Sequence, residues 1–403
     1  MYKAYKTEIK PNKEQIRRIE MLFEVTIATI NDYIDYNIDT MHRLQPIASP
    51  EEYLELVNLE LAETKYGKYI SSPTYKTTVL KALSNKEKAF KRYLDCKGGL
   101  PHKKTPGTRH ISFYTNSKEI GKYCIPCQRH RIYIKQLGWV RLKEKGYLPA
   151  YRSGKYIISL WIKKKAGRYF VIALVDTKKS LPKMKRVQGS SPNGLGIDVN
   201  VNNFAVLSNG TVYPNINKTE RVQKLKKKAH RYDKLFGRKM RVFYREHPGE
   251  KYVLSNNARK ILCKQDVVYN RMDNIRLDHI NKIAREIIDM KPDYIAMEDI
   301  KVQSMLDYKR FSRYIPEQLF YSFKFSVYRK CLEKGIEFRL VDKWYPSTRI
   351  CHECGYKFDK FSLDVRKFDC PNCGAHIVRD YNASLNIRDT KEYSVKELYY
   401  EGY

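Results

Sequence analysis

Four of the nine cysteines share one pattern: Cys351-His-Glu-Cys354-Gly and Cys370-Pro-Asn-Cys373-Gly, with fifteen residues between Cys354 and Cys370. A CxxC knuckle sets two thiolates on one tight turn, and the glycine after the second lets backbone amides point at the sulfurs. Two such knuckles facing each other complete a tetrahedral four-sulfur shell with no open position, which is structural zinc chemistry. A redox CxxC fits less well, because both pairs carry the same glycine. Cys124-Ile-Pro-Cys127 stands alone in an alternating segment that reads as strand, and Cys96 and His130 would have to meet it by folding to make a second site. Cys263 and Cys331 read as core residues of helices.

Three acids stand out by position. Asp198 lies inside the apolar run Leu195–Val199, Glu298 ends the run Tyr294-Ile-Ala-Met, and Asp380 immediately precedes the helical segment Asn382–Ile387. A carboxylate in or at the end of a core element is costly without a partner. Any one of them alone reads as a cap or a salt bridge. Together, if the strands pair, they converge and repel one another unless cations sit among them. Hard divalent ions with oxygen ligands answer that, Mg²⁺ foremost. Two such ions about 3.5–4 Å apart activate a water and stabilise the leaving oxygen of a phosphodiester.

The elements that must position these residues follow from periodicity. Residues 1–10 alternate as a strand, and Pro11-Asn-Lys-Glu-Gln starts a helix with Ile16, Ile19, Leu22, Phe23, Ile27 and Ile30 at helical spacing. Further helices are expected over Glu51–Tyr66 and Thr74–Asp95. Strands at Ile111–Tyr114, Ile132–Ile134, Val140–Leu142, Tyr156–Ile162 and Tyr169–Val175 predict an antiparallel barrel or sheet. Lys178–Asn193 is the best linker. Two strands joined by a turn follow from Leu195, and Asn209-Gly210 marks the next hairpin. Residues 218–251 carry thirteen Lys and Arg against four Asp and Glu, mostly in a helix, and Asn256–Met290 continues as helix. Asp293–Met297 and Phe338–Val341 are short apolar strands.

The 403 residues hold 78 Lys and Arg against 44 Asp and Glu, a formal charge of +34. Such an excess asks for a polyanion, with nucleic acid ahead of an anionic membrane surface. At 42% hydrophobic residues the chain can build cores and is not a disordered tail. No run of about 18 apolar residues is present, so a membrane span is not expected. The start lacks a signal-peptide apolar core and the cysteines are odd in number, so a reducing cytoplasm is the expected location.

These motifs resemble TnpB, the OrfB-type protein of bacterial insertion sequences, related to the compact type V CRISPR effectors. The resemblance rests on Gly196-Ile-Asp-Val-Asn-Val-Asn-Asn-Phe-Ala-Val, Ile295-Ala-Met-Glu-Asp-Ile, the paired knuckles after Tyr345-Pro-Ser-Thr-Arg, and Arg379-Asp-Tyr-Asn-Ala-Ser-Leu-Asn-Ile. These look like three RuvC motifs split by a zinc ribbon. Pro11-Asn-Lys-Glu-Gln, Ala89-Phe-Lys-Arg-Tyr and Leu137-Gly-Trp-Val-Arg-Leu agree more loosely.

The resemblance implies a multidomain α+β chain. A wedge β-barrel takes 1–10 and 105–182, with a helical recognition domain inserted at 11–104. A linker at 183–193 leads to an RNase H-like RuvC nuclease domain at 194–344 and 376–393. The zinc ribbon takes 345–375 and a tail 394–403. It further implies an RNA-guided DNA endonuclease that binds a transposon-end (omega) RNA, finds a short transposon-adjacent motif and cuts both strands with one RuvC site. Asp198, Glu298 and Asp380 match its catalytic acids and would hold two Mg²⁺; Cys351, Cys354, Cys370 and Cys373 match its zinc ligands. The expected partners are guide RNA, double-stranded DNA and the RNA–DNA heteroduplex, gripped through its backbone. Lys76, Thr77, Lys81, Lys103, Lys104, Lys224, Lys226, Lys227, Lys228 and Arg231 are the expected nucleic-acid contacts, and one protein copy is favoured over two. Asn200 departs from the family, which commonly has Gly there. A nuclease-inactive RNA-guided repressor and a guide-independent transposase or resolvase are the other readings; the intact acids weigh against the repressor.

Overall fold

The structure, a computed structural model, describes residues 1–61, 73–104, 111–118, 123–150, 153–250, 252–299, 315–342, 344–359, 365–395 and 398. The expected end of the second helix at Tyr66 and the start of the expected barrel segment at 105 lie outside them. The chain divides into two compact units, Met1–Ser180 and Leu181–Tyr403.

The first unit is built on β1 (Tyr2–Lys10), β2 (Ile111–Asn116), β3 (Cys127–Gln128), β4 (Arg131–Ile134), β5 (Gly138–Leu142), β6 (Tyr156–Lys165) and β7 (Arg168–Asp176). All pairings are antiparallel, in the order β2-β6-β7-β1-β5-β4-β3. The expected barrel is therefore an open sheet. Its edges β2 and β3 do not pair, and β3 is only two residues long, directly after Pro126, which has no N–H to donate. Helix α1 (Lys13–His42), started by an Asn12–Gln15 capping box, drives Ile19, Leu22 and Phe23 into the core of the sheet. From Val25 onward it turns Val25, Ile30, Tyr33 and Ile34 toward α2 (Pro50–Leu61) and α3 (Pro73–Leu94), meeting Tyr53, Leu54, Val79, Leu83 and Phe90. One helix thus joins two cores.

The second unit carries β8 (Leu195–Val199), β9 (Asn203–Leu207), β10 (Val212–Pro214), β11 (Tyr294–Glu298), β12 (Glu337–Val341) and β15 (Tyr393–Ser394) in the order β10-β9-β8-β11-β12-β15. Strands β8, β11 and β12 run parallel. Strands covered on both faces show no alternation of burial: β8 and β11 read as nearly continuous apolar runs, and β12 is buried throughout although it carries Glu337 and Arg339. One face is covered by α5 (Asn256–Asp289) and α7 (Phe320–Lys334), through Ile280, Ile283, Ile287, Phe323 and Val327. On the other lies α8 (Arg379–Asp389), whose Ile387 packs with Tyr294, Ala296 and Val341. Helix α4 (Glu220–Glu246) and α5 form a long hairpin between β10 and β11, with Val222, Ala229, Val268 and Met272 at its centre. A short helix, α6 (Ile315–Gln318), precedes α7. The small hairpin β13 (Lys367–Asp369) and β14 (His376–Val378) frames the second knuckle.

Buried Arg339 fastens the chain that leads into β8. It pairs with Glu337 at 2.7 Å and donates to the carbonyls of Gly189 and Val187 at 2.7 and 2.6 Å. The rings of Tyr294 and Tyr393 flank its guanidinium at 3.6 and 4.3 Å. A buried cation so fully paired costs little to keep.

Candidate functional site

The parallel register of β8 and β11 aligns Ile197 with Met297, so one further step sets Asp198 beside Glu298 at the carboxyl ends of both strands. Helix α8 crosses β8 so closely that a Cβ on Gly196 would lie 2.0 Å from the Ser384 carbonyl oxygen and 2.6 Å from the Arg388 nitrogen. Only glycine admits that approach. It brings Asp380, in the first turn of α8, over the same strand end; the helix starts at Arg379, so Asp380 lies inside it rather than just before it. An anion suits that position, where unsatisfied amides carry partial positive charge.

Asn200 ties two of the acids together. Its Nδ2 donates to Asp198 Oδ2 at 3.1 Å and Asp380 Oδ2 at 3.3 Å. Its Oδ1 accepts from the amides of Asn202 and Asn203 at 3.1 and 2.8 Å, which fixes which end of the amide faces the acids. Ser347 donates to Glu298 Oε1 at 2.7 Å. Arg366 and Arg379 reach Asp380 Oδ1 at 3.3 and 3.4 Å. Burial, then the charges of Glu298 and Asp380, push the Asp198 carboxyl up to about 8, while the Asn200 hydrogen bond and Arg379 hold it down. Burial also raises Glu298, against the Ser347 hydrogen bond. This is an all-oxygen site in which burial and mutual repulsion oppose the charged forms of Asp198 and Glu298. Its donors fit hard divalent cations, whose charge would favour the ionised carboxylates.

The knuckles are built on a repeated plan. Gly355 and Gly374 take φ of +74° and +72°. Each donates its amide back to the first cysteine of its knuckle, Cys351 or Cys370, at 2.8 Å. Backbone amides of Glu353 and Cys354 face the Cys351 sulfur, and that of Ala375 faces Cys373. The Asn372 side chain and then the Tyr356 amide lower the Cys354 thiol to about 6. Sγ separations are 3.7 Å for Cys351–Cys373 and 3.6 Å for Cys354–Cys370. A tetrahedral ion with bonds of about 2.3 Å to sulfur has edges of about 3.8 Å, so the shell fits zinc. Among the described residues it is the one His, Cys, Asp or Glu group whose ligand atoms all lie within 4.8 Å of one another. The three carboxylates are spread more widely.

Comparison with known proteins follows this geometry. The family model described as the Cas12f1-like TNB domain matches residues 320–387, which span α7, the knuckles and most of α8. A protein of Escherichia coli K12 described as the RNA-guided DNA endonuclease InsQ is 24% identical over 76% of this chain and 72% of its own. These likenesses are to TnpB-like proteins and miniature type V effectors. A Streptomyces pristinaespiralis protein described as an RNA-guided DNA endonuclease is 27% identical over 55% of this chain, a match spanning half of that relative's length. The fold agrees with that of a solved Cas12f1 in complex with guide RNA and target DNA, at a TM-score of 0.54 and 14% identity over 95% of this chain and 84% of that one.

The expected nucleic-acid contacts fall on two helices and the stretch 103–104 between α3 and β2. Lys76, Thr77 and Lys81 lie on α3, with Lys76 exposed and the Lys81 ammonium 5.8 Å from the Tyr114 ring centre. Lys103 pairs with Asp35, and burial lowers the amine of Lys104. On α4, Lys227, Lys228 and Arg231 are exposed; Lys224 pairs with Glu220 along the helix, and Lys226 is drawn to Glu317. Cys263 is exposed, not core, because that part of α5 packs only in the hairpin, whereas Cys331 is buried. Cys127 is the one knuckle-like cysteine of the first unit inside a strand, and Cys96 is exposed while Cys124 is buried. Ser347, Arg366 and Asn386 also touch the acids or the chain beside them, and no spacing of their own marks them in the sequence. No described helix is long and apolar enough to cross a membrane.

Proposed function

We propose that this chain is a TnpB-like RNA-guided DNA endonuclease, cutting double-stranded DNA beside a transposon-associated motif under direction of a transposon-derived RNA. The convergence of Asp198, Glu298 and Asp380 at one strand end supports the reading most. The names of its relatives, both RNA-guided DNA endonucleases, agree with it. Asp198, Glu298 and Asp380 would hold two Mg²⁺, which when bound supply an activated water and charge for the leaving oxygen of phosphodiester hydrolysis. Asn200 keeps Asp198 and Asp380 facing one opening. Ser347 orients Glu298, and Arg366 and Arg379 offset Asp380 and offer positive charge to a phosphate entering beside it. Cys351, Cys354, Cys370 and Cys373 hold a structural Zn²⁺.

The exposed cations of α3 and α4, with Lys103 and Lys104, serve phosphate backbones of guide RNA and heteroduplex. They carry no sequence information; base pairing with the guide does that. Purification from cells expressing the native locus, with sequencing of bound RNA, identifies the guide. With that RNA, Asp198→Ala keeps RNA and target binding and loses Mg²⁺-dependent cutting. Cutting by Asp198→Ala, or cutting by the wild type with no RNA, overturns the assignment.

A further inference from the structure

The chain just before the first knuckle is fastened to both sides of the acid site. The Ser347 hydroxyl donates to Glu298 Oε1 at 2.7 Å, and the Ser347 carbonyl accepts from Asn386 Nδ2 at 2.8 Å. Asn386 Nδ2 also reaches the Ile350 carbonyl at 2.7 Å, where Asn382 Nδ2 arrives at 2.6 Å. Asn382 Oδ1 accepts the amide of His352, inside the knuckle, at 2.9 Å, and the His352 ring meets Asp389 at 2.9 Å. Ser347 is 3% exposed, and Asn382 and Asn386 are each 5% exposed. Asn382 and Asn386 sit one turn apart on α8, the helix whose first turn carries Asp380. Glu298, by contrast, ends a strand, and among the described residues the Ser347 hydroxyl is the side chain that donates to it. That donor lies just before the first knuckle, not in the sheet.

We propose that Ser347 is a positioning residue for Glu298, and that the zinc knuckle, through Ser347 and the Asn382–Asn386 clamp, sets the distance from Glu298 to Asp380. This rests on the reading of the acids as ligands of divalent ions. The ribbon is then a spacer for the metal site as well as a folded appendage. A hydroxyl that aligns a ligating carboxylate acts through that carboxylate, and losing it weakens metal binding by about 10-fold.

The test uses the full chain purified with its RNA, and reads Mn²⁺ binding by electron paramagnetic resonance without DNA, beside zinc content, melting temperature and cleavage against Mg²⁺. Ser347→Ala is expected to keep zinc and melting temperature, weaken Mn²⁺ binding by about 10-fold and raise the Mg²⁺ midpoint equally, with target affinity unchanged. Ser347→Thr restores both midpoints. A purely structural serine gives the reverse: lower melting temperature or zinc loss, no separate change in metal midpoint, and no rescue by Thr. Wild-type Mn²⁺ binding in Ser347→Ala, with binding lost in Asp198→Asn, overturns the positioning role and leaves the acid reading standing. Mn²⁺ binding retained in Asp198→Asn overturns both.

Discussion

The second unit gathers negative charge in two places, and does so in opposite ways. Four thiols are drawn to within 4.8 Å and faced by amides from their own turns. Three carboxylates are held apart, with one asparagine bridging two of them and a serine touching the third. A closed shell with its own donors suits an ion that never leaves. A carboxylate cluster at a strand end, where burial opposes its charge, suits ions that must also meet substrate. The first site should contribute stability and the second should cost it.

The comparison breaks most severely if zinc proves dispensable. Structural zinc supplies on the order of 10 kcal/mol of binding free energy that is also folding free energy. Removing it by chelation, or weakening it with Cys370→Ser, should unfold residues around β13 and β14. The effect should travel along Asn382 and Asn386 to the acids, so cleavage is lost while the first unit's melting transition stays. Hydrogen exchange with and without chelator, run beside a cleavage assay, checks both. Full cleavage without zinc would separate the two sites.

The two sites also differ in how they could be read. The thiol shell is written in two four-residue motifs, so neither fold nor partner elements are needed to see it. The acids are 100 and 82 positions apart, yet visible, because Asp198 interrupts a run that is buried on both faces. What stayed hidden depends on tertiary meeting. The strands of the first unit were legible and their closure was not, since that turns on whether edges β2 and β3 meet. Cys263 has helical spacing in a helix half of which leaves the sheet, which spacing does not show. Ser347 carries no pattern of its own; its partner Glu298 lies 49 residues away.

Gly196 sharpens the contrast at intermediate cost. The atoms 2.0 and 2.6 Å from its missing Cβ are backbone, so no side chain can swing aside and α8 must shift as a body. Gly196→Ala should destabilise by on the order of 3 kcal/mol and move Asp380 off the other acids. Cleavage should fall more than RNA binding in a filter assay. Gly210, at φ +87° in the Asn209-Gly210 turn with nothing within 4 Å, is the control: alanine there costs about 1 kcal/mol of local strain and leaves cleavage alone. Equal effects at both positions would mean that the helix–strand approach does not set the acids.

The smallest effect has the most informative sign. The Asp198 carboxyl sits at about 8 in the folded protein, because burial and its neighbours Glu298 and Asp380 oppose its charge, and near 3.9 in an unfolded chain. Between those values the folded state holds a proton that the unfolded state has released. Stability of the magnesium-free protein therefore falls as pH rises from about 4 to 8 and levels above that. Asp198→Asn keeps the shape and removes the charge. It should flatten this slope and leave the variant more stable than wild type at pH 8, by about 1–3 kcal/mol, while abolishing cleavage. Urea melts at pH 5.5 and pH 8, in magnesium-free buffer without chelator so that zinc stays, read the slope. Added Mg²⁺ should then stabilise the wild type and not the variant, because only the folded wild-type site offers it three carboxylates. A variant less stable than wild type at pH 8 would mean that Asn200 and the arginines already neutralise the cluster, and that the two sites manage charge alike.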